Sequence, residues 1–244
     1  PTVEPGDLSN DQPLRIGSHT TPSVFAQFKG KIDEVSLYQR ALGAAEIQLL
    51  YAAGSGGKCT TTNLPCVAPA AGLISWWRAE SNAADAAGAN AGVLQNGLGF
   101  ASGEVGQALS FDGVSNYATI PASASLNVGN GAGLSIECWI KPAELSVARP
   151  LMEYNDGVNL GVQLWISLPY FANQGGPGAV FANIVDTVGE THALVSAPGI
   201  LTTNQFHHVA VTYDQASGLG MLYADGVVVF AANLGTFTPQ TTYN

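Results

Sequence analysis

The 244 residues predict an all-β fold, a sandwich or jelly roll of many short strands carrying one short helix. Three observations lead there. Charged residues make up 11% and apolar types 46%, so the chain can bury a large core and lacks the composition of a disordered segment. Gly, Thr, Val, Ser, Asn and Ala set its character, in place of the Lys, Glu and Arg that fill helices. Short apolar runs recur between turn signals, with no alternation of strand and helix.

Taken along the chain, strands are expected at IDEVSLY (32–38), LISWWRA (73–79), QALSFD (107–112), YATIP (117–121) and LSIECWIKP (134–142). Further strands are expected at PLMEY (150–154), VQLWISL (162–168), HHVAVTYD (207–214) and GMLYADGVVVFAA (220–232). Within the last, Ala224-Asp225-Gly226 is a hairpin signal between two apolar arms. Tyr213-Asp214 with Ala216-Ser217-Gly218 marks another turn. The helix is expected at about 43–53, where Ile47, Leu50 and Tyr51 follow Leu42 at helical spacing and Gly54 offers a stop.

The stretch GKCTTTNLPCVAPAAG (57–72) has the composition of a linker and divides 1–58 from 72–244, with 59–71 between them. The first piece has too few strands to close a core of its own. Cys59 and Cys66 lie in this polar stretch and suit a small-loop disulfide or two unlinked thiols, whereas Cys138 sits in an apolar run and reads as a buried free thiol.

A net charge of −10 argues against nucleic acid and against an anionic membrane surface. No apolar run reaches the roughly 18 residues of a membrane span. Acidic surfaces suit extracellular proteins and offer oxygen ligands to calcium. The chain begins at Pro1 with no signal segment, which is expected of a processed or excerpted polypeptide.

Three blocks carry a family resemblance: GLISWWRAESNAADAAGANAGVLQNGLGFASGEVGQALSFDGVSNYATIP (72–121), NQFHHVAVTYDQASGLGMLYADGVVV (204–229) and PLRIGSHTTPSVFAQFKGKIDEVSLYQRALGAAEIQLLYAAG (13–54). Together they resemble the laminin G-like, concanavalin A-like modules of bacterial secreted proteins. The resemblance implies a two-sheet antiparallel jelly-roll sandwich and an extracellular or cell-surface location. It also implies a calcium near the 79–92 loop. In such modules the block like 13–54 comes last, whereas here it comes first. The pieces therefore make one module if the chain is circularly permuted, or if a neighbouring unit completes it.

The loop AESNAADAAGANAG (79–92) supplies Glu80, Asn82, Asp85 and Asn90 among small residues that let carbonyls turn inward. Asp33, on the face of its strand that Val35 and Leu37 give to the core, needs a partner for its charge. Asp85, Asn90, Asp33 and Glu80 are therefore the candidate calcium ligands, the alternative being that Asp85 caps its own turn.

Catalytic relatives with this architecture place acids on alternate residues of one strand, as E-x-D-x-E, and no such triplet occurs. Asp33 and Glu34 are adjacent and so expected on opposite faces, while Glu137 and Glu153 are isolated. His207 and His208 are expected as one core and one surface residue, without a zinc cluster. No serine stands in a G-x-S-x-G turn. Trp76 and Trp77 should face opposite ways, and Trp139 and Trp165 are expected in the core rather than on a sugar platform.

The resulting expectation is a non-catalytic structural or adhesive module, not an enzyme, that works with copies of itself. Nine residues of 13–54 read as core: Val24, Phe25, Phe28, Ile32, Val35, Leu37, Leu42, Ile47 and Leu50. Their burial is worth on the order of 15–25 kcal/mol, so something must fill that slot. The fourteen residues of 59–72 could span about 46 Å and return the block to its own chain. The linker composition favours completion of an adjacent module, head to tail, in a tandem array or filament. The alternative is a carbohydrate-binding, lectin-like module appended to a secreted hydrolase.

Overall fold

The computed structural model describes residues 13–20, 27–59, 66–156, 158–169 and 174–242. The first strands are β1 (Leu14–Ile16) and β2 (Lys29–Tyr38), and helix α1 (Ala44–Ala53) follows them. Next come β3 (Leu73–Trp77), β4 (Val93–Gln95), β5 (Gly99–Ser102), β6 (Gln107–Asp112) and β7 (Tyr117–Ile120). After them come β8 (Gly133–Pro142), β9 (Arg149–Asn155), β10 (Leu160–Ile166), β11 (Val180–Val185) and β12 (Thr191–Val195). The last three are β13 (His207–Asp214), β14 (Leu219–Ala224) and β15 (Val227–Asn233).

Two antiparallel sheets result. One has seven strands in the order β12-β11-β10-β9-β1-β7-β4. The other has eight, in the order β15-β14-β13-β8-β2-β6-β5, with β3 also paired to β2. Alternation along each strand sends Ile32, Leu37, Ile136 and Val211 of one sheet against Ile16, Leu164 and Ile184 of the other, in one continuous core. The β14–β15 hairpin turns on Asp225 and Gly226, both at positive φ (50° and 76°), as a two-residue turn requires. The expected jelly-roll sandwich with one short helix is what forms.

The two strands of the first block are interior to this architecture. β1 lies between β9 and β7, and β2 between β8 and β6. Seven of the nine expected core residues, from Phe28 to Leu50, are buried, while Val24 and Phe25 lie outside the described residues. Within this chain the slot expected to take a neighbour's block holds the chain's own. On either side of residues 60–65, which lie outside the described residues, the 57–72 strap is docked on the body. Gln39 N–H donates to the Gly72 carbonyl, Arg40 Nε–H to Ala71 O, and Val67 N–H to Gly57 O. Val67 and Ala70 pack beside Tyr38, Leu42 and Ile47.

Sequence pattern missed β1, β4, β5, β11 and β12. They are short or, like VFANIV in β11, carry Ala-Asn where alternation would demand a clear apolar and polar choice.

Candidate functional site

The outer face of the eight-stranded sheet is covered. Ile47 and Leu50 of α1 meet Tyr38, Ala210 and Tyr223, and beside them the strap lays Lys58 across β2 and β8. A bulge makes this possible. Between Asp33 and Ser36 the β2–β8 register shifts, and Glu34 takes a left-handed backbone (φ 56°). Asp33 then stands opposite Trp139, and Ser36 opposite Glu137. The two acids therefore share the outer face instead of dividing between faces, and Asp33 leaves the face of Val35 and Leu37.

A charge cluster forms under the strap. Lys58 Nζ lies 3.2 Å from Glu34 Oε2 and 3.1 Å from Glu137 Oε1, with all three side chains 4% exposed or less. Trp76 donates Nε1–H to Glu34 Oε2 at 2.9 Å, and His208 Nε2 lies 2.9 Å from Glu137 Oε2. Glu34 Oε1 accepts no hydrogen bond, and Arg78 Nε comes only to 4.0 Å of it. Burial penalises every charge here. For Glu137 it is outweighed by Lys58 and His208, which hold the carboxyl down at about 2. For Lys58 it is outweighed by Glu137 and Glu34, which keep the ammonium protonated. Asp33 has no cation, so burial pushes it up to about 8 against the opposing N–H of Val105.

The strap is pinned at this point by a disulfide between Cys59 and Cys66, the expected pair, with Cα atoms 5.1 Å apart. Cys138 is free and buried, also as expected.

The seven-stranded sheet has a carboxylate centre of its own. On its outer face Arg15, Glu153, Gln163 and Asn183 are successive cross-strand neighbours. Glu153 is fully buried. Its Oε1 meets His19 Nδ1 at 2.8 Å and Asn155 Nδ2 at 3.2 Å, and its Oε2 meets Gln163 Nε2 at 3.2 Å and Trp165 Nε1 at 3.1 Å. Three N–H donors and the His19 ring nitrogen surround it, and His19 makes it a second bolt between the first block and the body.

A cleft of about 470 Å³ opens beside α1, lined by Tyr51, Glu104, Trp139, Phe206, His207 and Asp225. In it His207 Nδ1 lies 2.8 Å from Asp225 Oδ2, and His207 Nε2 lies 2.9 Å from Thr202 Oγ1. The order hydroxyl–imidazole–carboxylate is that of a nucleophilic triad. The Thr202 backbone N–H, however, also donates to Nε2 at 3.1 Å. That lone pair is thus shared with an amide, and the arrangement closes the 202–207 turn more than it activates the hydroxyl.

The expected site residues go to different partners. Asp85 Oδ1 accepts the N–H of Trp76, Ala87 and Gly88, and Oδ2 that of Asn90, so the turn-capping alternative describes its contacts. Asn90 binds Ser75 and Ser125 through its side chain. Asp33 and Glu80 bond instead to the 103–107 turn, at Val105 and Gln107. Among the described residues no three acidic, His or Cys side chains gather as a metal set, so a cation at this loop would draw mainly on carbonyl oxygens.

His207 and His208 are both buried, against the expected split, because each has a carboxylate partner. Of the tryptophans only Trp77 joins the main core. Trp76, Trp139 and Trp165 are buried in clusters on the outer faces. Lys58 and Glu137 carried no site signal in the sequence, since a lysine in a polar linker and a lone glutamate in a strand look ordinary.

Residues 112–244, more than half of the chain, match the family described as the concanavalin A-like lectin/glucanases superfamily. No curated protein and no solved structure matches the chain. The matched part holds β7 to β15, and β1 to β6 complete the same two sheets. By this match and by its two-sheet jelly roll, the chain belongs to the concanavalin A-like lectin/glucanases superfamily.

Proposed function

We propose that the protein is a non-catalytic extracellular module for adhesion or assembly. The observation that carries this reading is how the carboxylates are used. Glu153, at the centre of one outer face, is sealed by four polar side chains, and Glu34 and Glu137 on the other are bridged by a buried lysine. Paired-acid hydrolysis needs two carboxyl groups open to substrate. The disulfide supports an oxidising compartment. No helix among the described residues is long and apolar enough to cross a membrane.

The assembly part of the proposal is exchange of the 13–58 block. A neighbouring copy that supplied β1, β2 and α1 would make the same contacts, so a tandem array or filament needs no new interface. A second reading, carbohydrate binding, is favoured by the cleft where Tyr51, Trp139 and Phe206 stand beside Gln205 and Asp225.

A panel of polysaccharides tests both. Released reducing sugar is expected to stay at the level of a heat-killed control. Reproducible release that is lost in Glu153→Gln would overturn the non-catalytic reading. Saturable quenching of tryptophan fluorescence by one sugar, abolished in Tyr51→Ala, would move the proposal to the second reading.

A further inference from the structure

The disulfide gives the strap two lengths. Lys58 lies in the block that exchange moves, anchored to Glu34 of that block and to Glu137 of the body. Whatever joins a displaced block to its own body is therefore the chain from Cys59 to Gly72, which reaches about 46 Å when fully extended. The Cys59–Cys66 bond shortens it. It holds the two Cα atoms 5.1 Å apart, where seven extended steps would carry them roughly 24 Å. With Val67 to Gly72 extended beyond it, the oxidised tether reaches roughly 26 Å.

The span to be crossed falls between these two lengths. A compact chain of 244 residues has a radius of gyration of about 18 Å, so copies in a head-to-tail array repeat at roughly 35–45 Å. Equivalent points in such an array stand one repeat apart. Lys58 sits at mid-β2 and Gly72 beside Gln39 at its end, so the crossing is set mainly by that repeat. A closed two-fold pair needs less reach, because both crossings can run through the contact between the copies. Given the exchange reading proposed above, we infer that the Cys59–Cys66 disulfide controls assembly with further copies of this chain. Oxidised, it confines the 13–58 block to its own chain or to a closed pair. Reduced, it lets the block cross to the next copy of an extended array.

The change needs only a thiol reductant. Two small thiols cleave the S–S bond by exchange, supply two electrons and two hydrogens, and leave joined as their own disulfide. Cys59 and Cys66 become thiols. The bond is within their reach, since both cysteines line an open cleft of about 500 Å³ together with Ser55, Arg78 and Glu80. Cys138 takes no part, being free and buried. Once the bond is cut, hydrogen bonds hold the fold-back, Cys59 N–H to Val67 O at 2.8 Å and Val67 N–H to Gly57 O at 2.9 Å. An extending strap trades both for bonds to water.

Light scattering on the full-length protein, unfolded in urea and refolded near millimolar concentration, tests this control. Oxidised wild type is compared with wild type kept in dithiothreitol and with the Cys59→Ser/Cys66→Ser double variant. The share of protein in masses of three chains or more should be at least tenfold higher in the second and third samples than in the first. The double variant has no thiol at either position, so its multimers owe nothing to new disulfides there. If it fails to melt cooperatively, the dithiothreitol sample decides alone. Equal shares in oxidised and reduced protein overturn the inference and leave assembly by exchange standing. Masses of one chain in every sample overturn both. Larger masses confined to the oxidised sample overturn the inference as well.

Discussion

Asp33 and Glu34 are neighbours in sequence with different fates. Glu34 has Lys58, whereas Asp33 is buried with one oxygen on the Val105 N–H and the other unpaired. Burial raises the Asp33 carboxyl from 3.8 to about 8, so the folded state keeps a proton that the unfolded chain has lost. The sign follows from proton counting. The contribution is full below the unfolded value near 4 and is lost as pH rises through 8. Melting temperature should therefore fall between pH 5 and pH 9 by an amount equivalent to a few kcal/mol. Asp33→Asn, which cannot ionise, should flatten that slope and melt higher than wild type at pH 9. An identical slope in the variant would assign the pH dependence to other groups. Neither fate was legible beforehand, because strict alternation put the two acids on opposite faces and only the bulge reunites them.

Among the elements, β1, β2 and α1 contribute more than their length suggests. Phe28, Ile32, Val35, Leu37, Leu42, Ile47 and Leu50 are all buried. At about 1.5–3 kcal/mol each, they contribute roughly 10–20 kcal/mol, comparable to or larger than the ~5–15 kcal/mol net stability of a domain. A fragment covering 67–244 should show no cooperative melting transition, and co-refolding with a 1–58 peptide should restore one. A cooperative transition from the fragment alone would show that the slot between β8 and β6 can close without β2. The helix and the longer strands were readable from period and turn chemistry. The docking of the strap was not, since Pro, Thr and Ala look the same in a free linker and in one pressed against a sheet.

At the scale of the molecule, the strap decides between a closed unit and an assembly. Because residues 57–59 and 66–72 already lie on the sheet, the 13–58 block meets its own slot at an effective concentration in the millimolar range. Light scattering at micromolar concentration should give the mass of one chain. Refolding near millimolar concentration should add integer multiples by exchange of the block. One monomeric mass under both conditions would remove assembly by exchange from the proposed function.

The sequence by itself determined the fold class and the helix, offered Cys59 and Cys66 as a pair, and marked seven of the residues in the 13–54 block that prove buried. All of these follow from local pattern or from the amount of apolar surface, which composition carries whatever the topology. Tertiary structure decided which groups meet. Lys58, Glu34, Glu137 and His208 come from four separate segments, and His19 reaches Glu153 across 134 residues of chain. A buried charge acquires its meaning from the partner that desolvation forces upon it, and that partner is chosen by strand register and one bulge, neither of which a linear pattern specifies.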